Sequence, residues 1–140
     1  MFWHGARHKR EALAPQVSGL LKGKAVVFAT PSTTMAAVFS QKWTGADFDF
    51  GHVVEDGKSS LVLTEKRSGA FSEVFEGKEG FLHGVDHRRF NKHERLGMHN
   101  LEFVSTTVEP VIKTVRLEDV GQWLKKKDER LKLCFYSKRP

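Results

Sequence analysis

Apolar residues fall in short runs broken by turn residues along this chain, and helical spacing is sustained in only two places. Phe2-Trp3-His4-Gly5 reads as the end of a short strand. Residues 6–23 have loop character, with Leu13 and Pro15 docked on the core. Residues 25–29, Ala-Val-Val-Phe-Ala, form an apolar run with β-branched members, which predicts a buried strand. Ser32 or Thr33 can cap the helix that follows, where Met35, Val38, Phe39 and Lys42/Trp43 recur at three- and four-residue spacing and turn one face to a sheet. Phe48, Phe50, His52 and Val54 then alternate with other positions, Asp56-Gly57 supplies a turn, and Ser60-Leu61-Val62-Leu63-Thr64 returns as a hairpin partner.

Further strands are expected over residues 71–75, where Phe71, Glu73 and Phe75 share a side, and over residues 80–85. Residues 86–99 are polar, rich in His and Arg, and read as a loop with one helical turn. Two strands follow, 101–105 and 111–115, separated by a loop containing Pro110. Residues 117–131 carry the second helical pattern, with Val120, Trp123, Leu124 and Leu131 facing inward and the lysines facing water. Residues 133–136 can close a sheet edge, and Trp123 and Phe135 are expected in the core. With no internal repeat and no linker, residues 1–140 read as a single α+β domain with a mostly antiparallel sheet.

Composition changes this picture little. The 39% hydrophobic and 29% charged residues of a 140-residue chain describe an ordinary globular domain able to bury a core. No apolar run approaches the ~20 residues of a membrane span. The first ten residues lack a signal peptide's apolar block, so a cytoplasmic protein is expected. Net charge is +6, from 23 Lys and Arg against 17 Asp and Glu, which favours polyanionic partners: nucleic acid, phosphorylated ligands or an acidic protein face. The basic residues are scattered, however. Lys9-Arg10, Arg88-Arg89, Lys125-Lys126-Lys127 and Lys138-Arg139 lie in separate segments, the last two as a solvated helix end and a tail.

Most familiar chemistries drop out. Seven histidines invite a metal, and His4/His8 and His83/His87 are each four apart. Both pairs involve strand residues, where four positions span too far for shared ligation, and no HExxH occurs. No metal site is expected. Cys134, the single cysteine, cannot form an internal disulfide and reads as a small buried residue, not an activated thiolate. There is no nucleophile elbow, no P-loop and no G-x-G-x-x-G, so a dinucleotide would not be held in the Rossmann manner. What remains is His4-Gly5, the strand and helix of residues 26–43, and Glu102 among apolar neighbours. Glu102 is either the wet side of an alternating strand or an acid with a task.

Phe2-Trp3-His4-Gly5, Val26-Val27-Phe28-Ala29-Thr30 leading to Ala36-Ala37-Val38-Phe39, and Asn100-Leu101-Glu102-Phe103-Val104 together resemble the ADP-ribosyltransferase superfamily. The resemblance is to its histidine-containing branch of poly(ADP-ribose) polymerases, rifamycin ADP-ribosyltransferases and RNA 2′-phosphotransferases. It spans nearly the whole chain, with a second His-Gly, His83-Gly84, set aside as coincidental.

The resemblance implies an α+β fold with a split, mostly antiparallel β-sheet core and a few flanking helices. It implies NAD as co-substrate, cleavage of the nicotinamide–ribose bond and transfer of ADP-ribose to a macromolecular or small-molecule acceptor. His4 would bind a ribose hydroxyl, Gly5 the nicotinamide carboxamide through its backbone, and Thr30 would lie at the cofactor. Phe39, with Trp43 as second choice, would stack on the nicotinamide ring, and Glu102 would be the catalytic carboxylate. Residues 86–99 would shape the acceptor site, with Arg95 and Asn100 as its candidates. Ala6 stands where the family often has Ser or Thr after His-Gly, and Phe39 where it often has Tyr or Trp. Two other readings stay open: a non-catalytic module binding NAD or nucleic acid, and an RNA 2′-phosphotransferase using Arg7, Arg88, Arg89 and Arg95.

Overall fold

The computed structural model describes residues 1–18, 21, 23–93, 101–127 and 131–137. Within them the chain is α+β, with three helices and mostly antiparallel sheets. None of these helices is long and apolar enough to cross a membrane.

Strand β1 (Phe2–Ala6) pairs with β7 (Gly80–Val85), and β7 pairs on its other edge with β11 (Lys113–Leu117). A second sheet runs in the order β3-β4-β9-β8, from Gln16–Ser18, Lys24–Ala29, Phe103–Ser105 and Asn91–Lys92. The backbones of the two sheets pair at one point among the described residues. Trp3 N–H donates to the Thr30 carbonyl at 2.7 Å and Thr30 N–H donates back to Trp3 at 2.9 Å. Residues 6–23, expected as loop, also hold β2 (Ala12–Leu13), which pairs with β10 (Glu109–Pro110). Pro110, lacking an N–H, is tolerated in so short an edge pairing.

The third sheet holds the hairpin of β5 (Phe48–Glu55) and β6 (Lys58–Glu65). Asp56 and Gly57 both take positive φ, 50° and 75°, the two-residue turn that matches strand twist. Strand β12 (Leu131–Cys134) adds to β6 in parallel, unlike the other strand pairs. Its alternation corrects the expectation of a buried cysteine. Leu131 is buried and Leu133 half-buried, so Cys134 falls on the opposite parity and is exposed. Phe135 lies beyond the strand, 57% exposed, with its ring edge-on to Phe71.

Helix α1 (Thr33–Val38) starts where the Ser32 hydroxyl accepts the Met35 N–H at 3.1 Å. It is shorter than its periodicity suggests because side chains take its last carbonyls. Ser40 Oγ donates to Ala37 O at 2.6 Å, and the Trp43 indole N–H donates to Val38 O at 2.9 Å. Residues 34–38 are all buried, between β1 and helix α3 (Val120–Lys127).

Residues 71–75, expected as strand, lie in helix α2 (Ala70–Phe75). Phe71 and Phe75 satisfy both a strand's alternation and a helix's four-residue repeat. The adjoining Ala70 is buried with them, which only a helix allows on one face. Gly69 precedes it at φ 79° and offers no cap; the Glu65 carboxylate accepts the Phe71 N–H instead, at 2.7 Å. These helices, Phe48, Leu63, Leu82 and Leu117 make the main core, and Leu13, Val27, Ala29, Val85 and Phe90 a second one.

Two positions fix how the layers meet. A Cβ on Gly5 would lie 1.8 Å from the Ala36 carbonyl oxygen, so α1 rests directly on the β1 backbone. Glu109, 1% exposed, receives bonds from Arg89 Nη2 (3.1 Å), Ser105 Oγ (2.6 Å) and Thr107 Oγ1 (2.6 Å). Burial raises its pKa, but the bonds from Arg89, Ser105 and Thr107 outweigh that and hold the carboxyl below its ordinary value.

Gly5→Ala is expected to destabilise the fold by about 3 kcal/mol through this clash, read as a lower urea midpoint. A variant as stable as the parent would refute the close approach. Glu109→Gln should cost about 2 kcal/mol at neutral pH. Because the folded pKa is depressed, this stability is present above the unfolded value of about 4.3 and is lost as pH falls below it. Stability measured from pH 6 to pH 3 should therefore fall less steeply in the Gln variant.

Candidate functional site

Past the single bridge between Trp3 and Thr30 the two sheets diverge, and a cavity of about 310 Å³ opens between them. Strand β1 contributes Trp3, His4 and Gly5; the end of β4 and the next residue contribute Phe28, Ala29 and Thr30. Met35, Ala36 and Phe39 come from α1 and its C-terminal cap, and Leu101 and Glu102 close the remaining side. The walls are largely apolar, with a histidine and a carboxylate as the ionisable groups.

Strand register brings these segments together. Ala29 pairs with Phe103, so Glu102 lies just beyond β9, beside the end of β4 where Thr30 bonds to Trp3. Glu102 thus precedes the strand that was expected to contain it, and it is half-buried. The correction has a physical basis: strand pairing stops where β4 leaves β9 for β1, so Glu102 falls just before the ladder and not within it.

His4 stands in the middle of β1, not at its end. Its Nδ1 lies 2.7 Å from the Phe28 carbonyl, which can only accept, so Nδ1 carries the proton and Nε2 keeps a lone pair when the ring is neutral. Burial pushes the His4 pKa down, the Phe28 bond opposes this, and the nearby Arg10 cation lowers it further; the net shift is downward. At neutral pH the cavity therefore presents an uncharged acceptor.

Directly across from His4 in the sheet is His83, fully buried. The pair His83-Gly84, set aside as coincidental, is tied to His4-Gly5 by the register. Trp3 faces Gly84, and a Cβ there would lie 2.3 Å from Met1 Sδ and 3.1 Å from the Trp3 ring. His83 Nε2 accepts the Arg10 N–H at 2.9 Å, and burial followed by the proximity of His4 lowers its pKa.

Phe39 caps α1 and is 46% exposed. Trp43 stacks behind it, ring centroids 5.5 Å apart and 19° from parallel, and Phe50 meets it edge-on at 5.4 Å. Trp43 itself does not line the cavity. Its indole N–H is held by the Val38 carbonyl, which sets it behind Phe39 as a support.

His4, Gly5, Thr30, Phe39 and Glu102 therefore share one cavity, and Trp43 backs it. Arg95 and Asn100 lie outside the described residues. Arg88 and Arg89 do not line it and are engaged by Asp86 and Glu109; the bond from Arg88 holds the Asp86 pKa at about 2. Glu109 is a buried acid that sequence reasoning passed over. Its signal was a Glu between Val108 and Pro110, but its partners are remote in sequence. A second, polar groove of about 770 Å³ adjoins the first through Leu101, between Pro31–Thr34 and the β5–β6 hairpin. Among the described residues no three His, Cys, Asp or Glu side chains gather as a metal ion requires.

Lowered histidine pKa values mean that the unfolded chain takes up protons first as pH falls. Stability should be full above pH ~6.5 and decline below it. Urea midpoints measured from pH 8 to 5.5 should show this decline, and His4→Gln should flatten it; an equal slope in parent and variant would refute the assignment.

No protein-family model, no curated protein and no solved structure matches this chain.

Proposed function

We propose that this protein is an NAD-dependent ADP-ribosyltransferase with an ADP-ribosyltransferase-like split sheet, its active site in the cavity between β1 and β4. One observation carries the reading. Five residues from four separate stretches of the chain, His4 and Gly5, Thr30, Phe39 and Glu102, line the same cavity, each with chemistry suited to a different part of a nicotinamide riboside. Two sheets whose backbones pair, among the described residues, at Trp3 and Thr30 alone also accord with a split sheet.

The chemistry of glycosidic cleavage makes sense of the residue types. As nicotinamide leaves, positive charge builds on the ribose carbon and ring oxygen. A carboxylate at Glu102 stabilises that charge more in the transition state than in the ground state. Apolar walls strengthen its field by excluding water. A neutral His4 accepts a ribose hydroxyl through Nε2 without opposing the developing cation, as a protonated ring would. Phe39, held from behind by Trp43, offers its remaining surface to a flat pyridinium ring. The backbone of Gly5, kept free of a side chain by the Ala36 contact, is open to a carboxamide.

The RNA 2′-phosphotransferase reading is the weaker one, because Arg88 and Arg89 are already committed to carboxylates. An exposed Cys134 with no disulfide partner suits a reducing, cytoplasmic setting.

The purified protein should release nicotinamide from NAD. Glu102→Gln is expected to slow release about 10²–10³-fold with little change in KM, the signature of an interaction made in the transition state. Phe39→Ala should instead raise KM about tenfold through lost stacking. NAD bound tightly with no nicotinamide released would select a non-catalytic binding module, and no NAD binding at all would overturn the proposal.

A further inference from the structure

Beside the proposed NAD cavity lies the polar groove, and the two are contiguous. Leu101 lines both, and Thr30 of the first is followed directly by Pro31 of the second. The far wall of the groove is the β5–β6 hairpin. There His52 on β5 and Ser59 on β6 stand on the same face, and the imidazole Nε2 and the Ser59 hydroxyl are hydrogen-bonded to each other. Both side chains are exposed to the groove. Lys58, also exposed at the groove, has no ion-pair partner among the described residues.

A serine hydroxyl is a weak nucleophile until a base takes its proton. In the tautomer with hydrogen on Nδ1, His52 accepts the Ser59 O–H and is placed to do so. The pair is not a core contact, because both side chains lie at the open surface. The ammonium of Lys58 adds a positive rim, which suits the pyrophosphate of a nucleotide reaching from the cavity into the groove.

Resting on the reading of the cavity as an NAD site, we infer that Ser59 is an acceptor for the protein's own ADP-ribosyl transfer, with His52 as its general base. The Ser59 Oγ forms a bond to the anomeric carbon of the nicotinamide-side ribose. The bond from that carbon to the nicotinamide nitrogen breaks, and its electron pair neutralises the departing ring. The Ser59 proton passes to His52 Nε2 and then to solvent, so one NAD yields one modified serine, one nicotinamide and one proton. The electrophile comes from the cavity and the nucleophile from the groove, with Leu101 between them.

The test is incubation of the full chain with NAD, followed by intact-mass measurement and site mapping by electron-transfer fragmentation. One ADP-ribosyl group per chain, mapped to Ser59, is expected. Ser59→Ala should lose that label. His52→Gln should slow labelling at least tenfold with the KM for NAD unchanged, a split that a merely structural histidine would not produce. Circular dichroism of both variants should match the parent, since both positions are exposed. Nicotinamide released without a label on Ser59, or a label mapped to another residue, overturns the inference and leaves the NAD reading standing. Neither nicotinamide nor label overturns both.

Discussion

Two hydrogen bonds between Trp3 and Thr30 hold the first sheet to the second, and the rest of the cavity depends on them. They fix β1 beside the end of β4 over one residue pair only. On one side of that contact β1 continues with β7; on the other, β4 continues with β9. Two sheets forced to share a single bridge must diverge on either side of it. That divergence exposes the backbone of Gly5 and the ring of His4 to the same space that Glu102 enters from the position just before β9. A fully zipped pairing of β1 with β4 would have filled this space with ladder hydrogen bonds and left no room for a ligand.

The contact is stiffened from both faces. Behind it, α1 lies against β1 with the Ala36 carbonyl where a Gly5 side chain would be, and the helix is stopped at Val38 by Ser40 and Trp43. Across the gap, His4 reaches the Phe28 carbonyl. The side chain proposed to receive a ribose hydroxyl therefore also ties the two sheets together. Its tautomer follows from that structural bond, so orientation and protonation state are set before any ligand arrives.

What could be read from the sequence follows from how local each signal is. The β5–β6 hairpin was legible because alternation and Asp56-Gly57 specify strand, turn and register within eighteen residues. Helix α2 was not, since Phe71 and Phe75 obey two periods at once and the cap comes from Glu65, outside the segment. Cys134 was misplaced because apolar neighbours do not reveal parity; pairing to β6 decides that. Of the cavity, the residues were named through a family resemblance and not through spacing. Nothing local in the chain links residue 4 to residue 102. The His52–Ser59 pair and the Arg89–Glu109 pair were missed for the same reason, as each is created by pairing or packing across segments.

Glu65 binds two segments with one carboxylate. One oxygen accepts the Phe71 N–H at the start of α2, and the other accepts the Tyr136 N–H at 2.8 Å, just past the end of β12. Its buried position makes loss of either bond expensive, because the acid would be left dry and half-paired. Fraying of the C-terminal segment is thereby coupled to the first turn of a helix some sixty residues earlier in the chain. In hydrogen exchange the two would behave as one cooperative unit, although no strand or helix contains both.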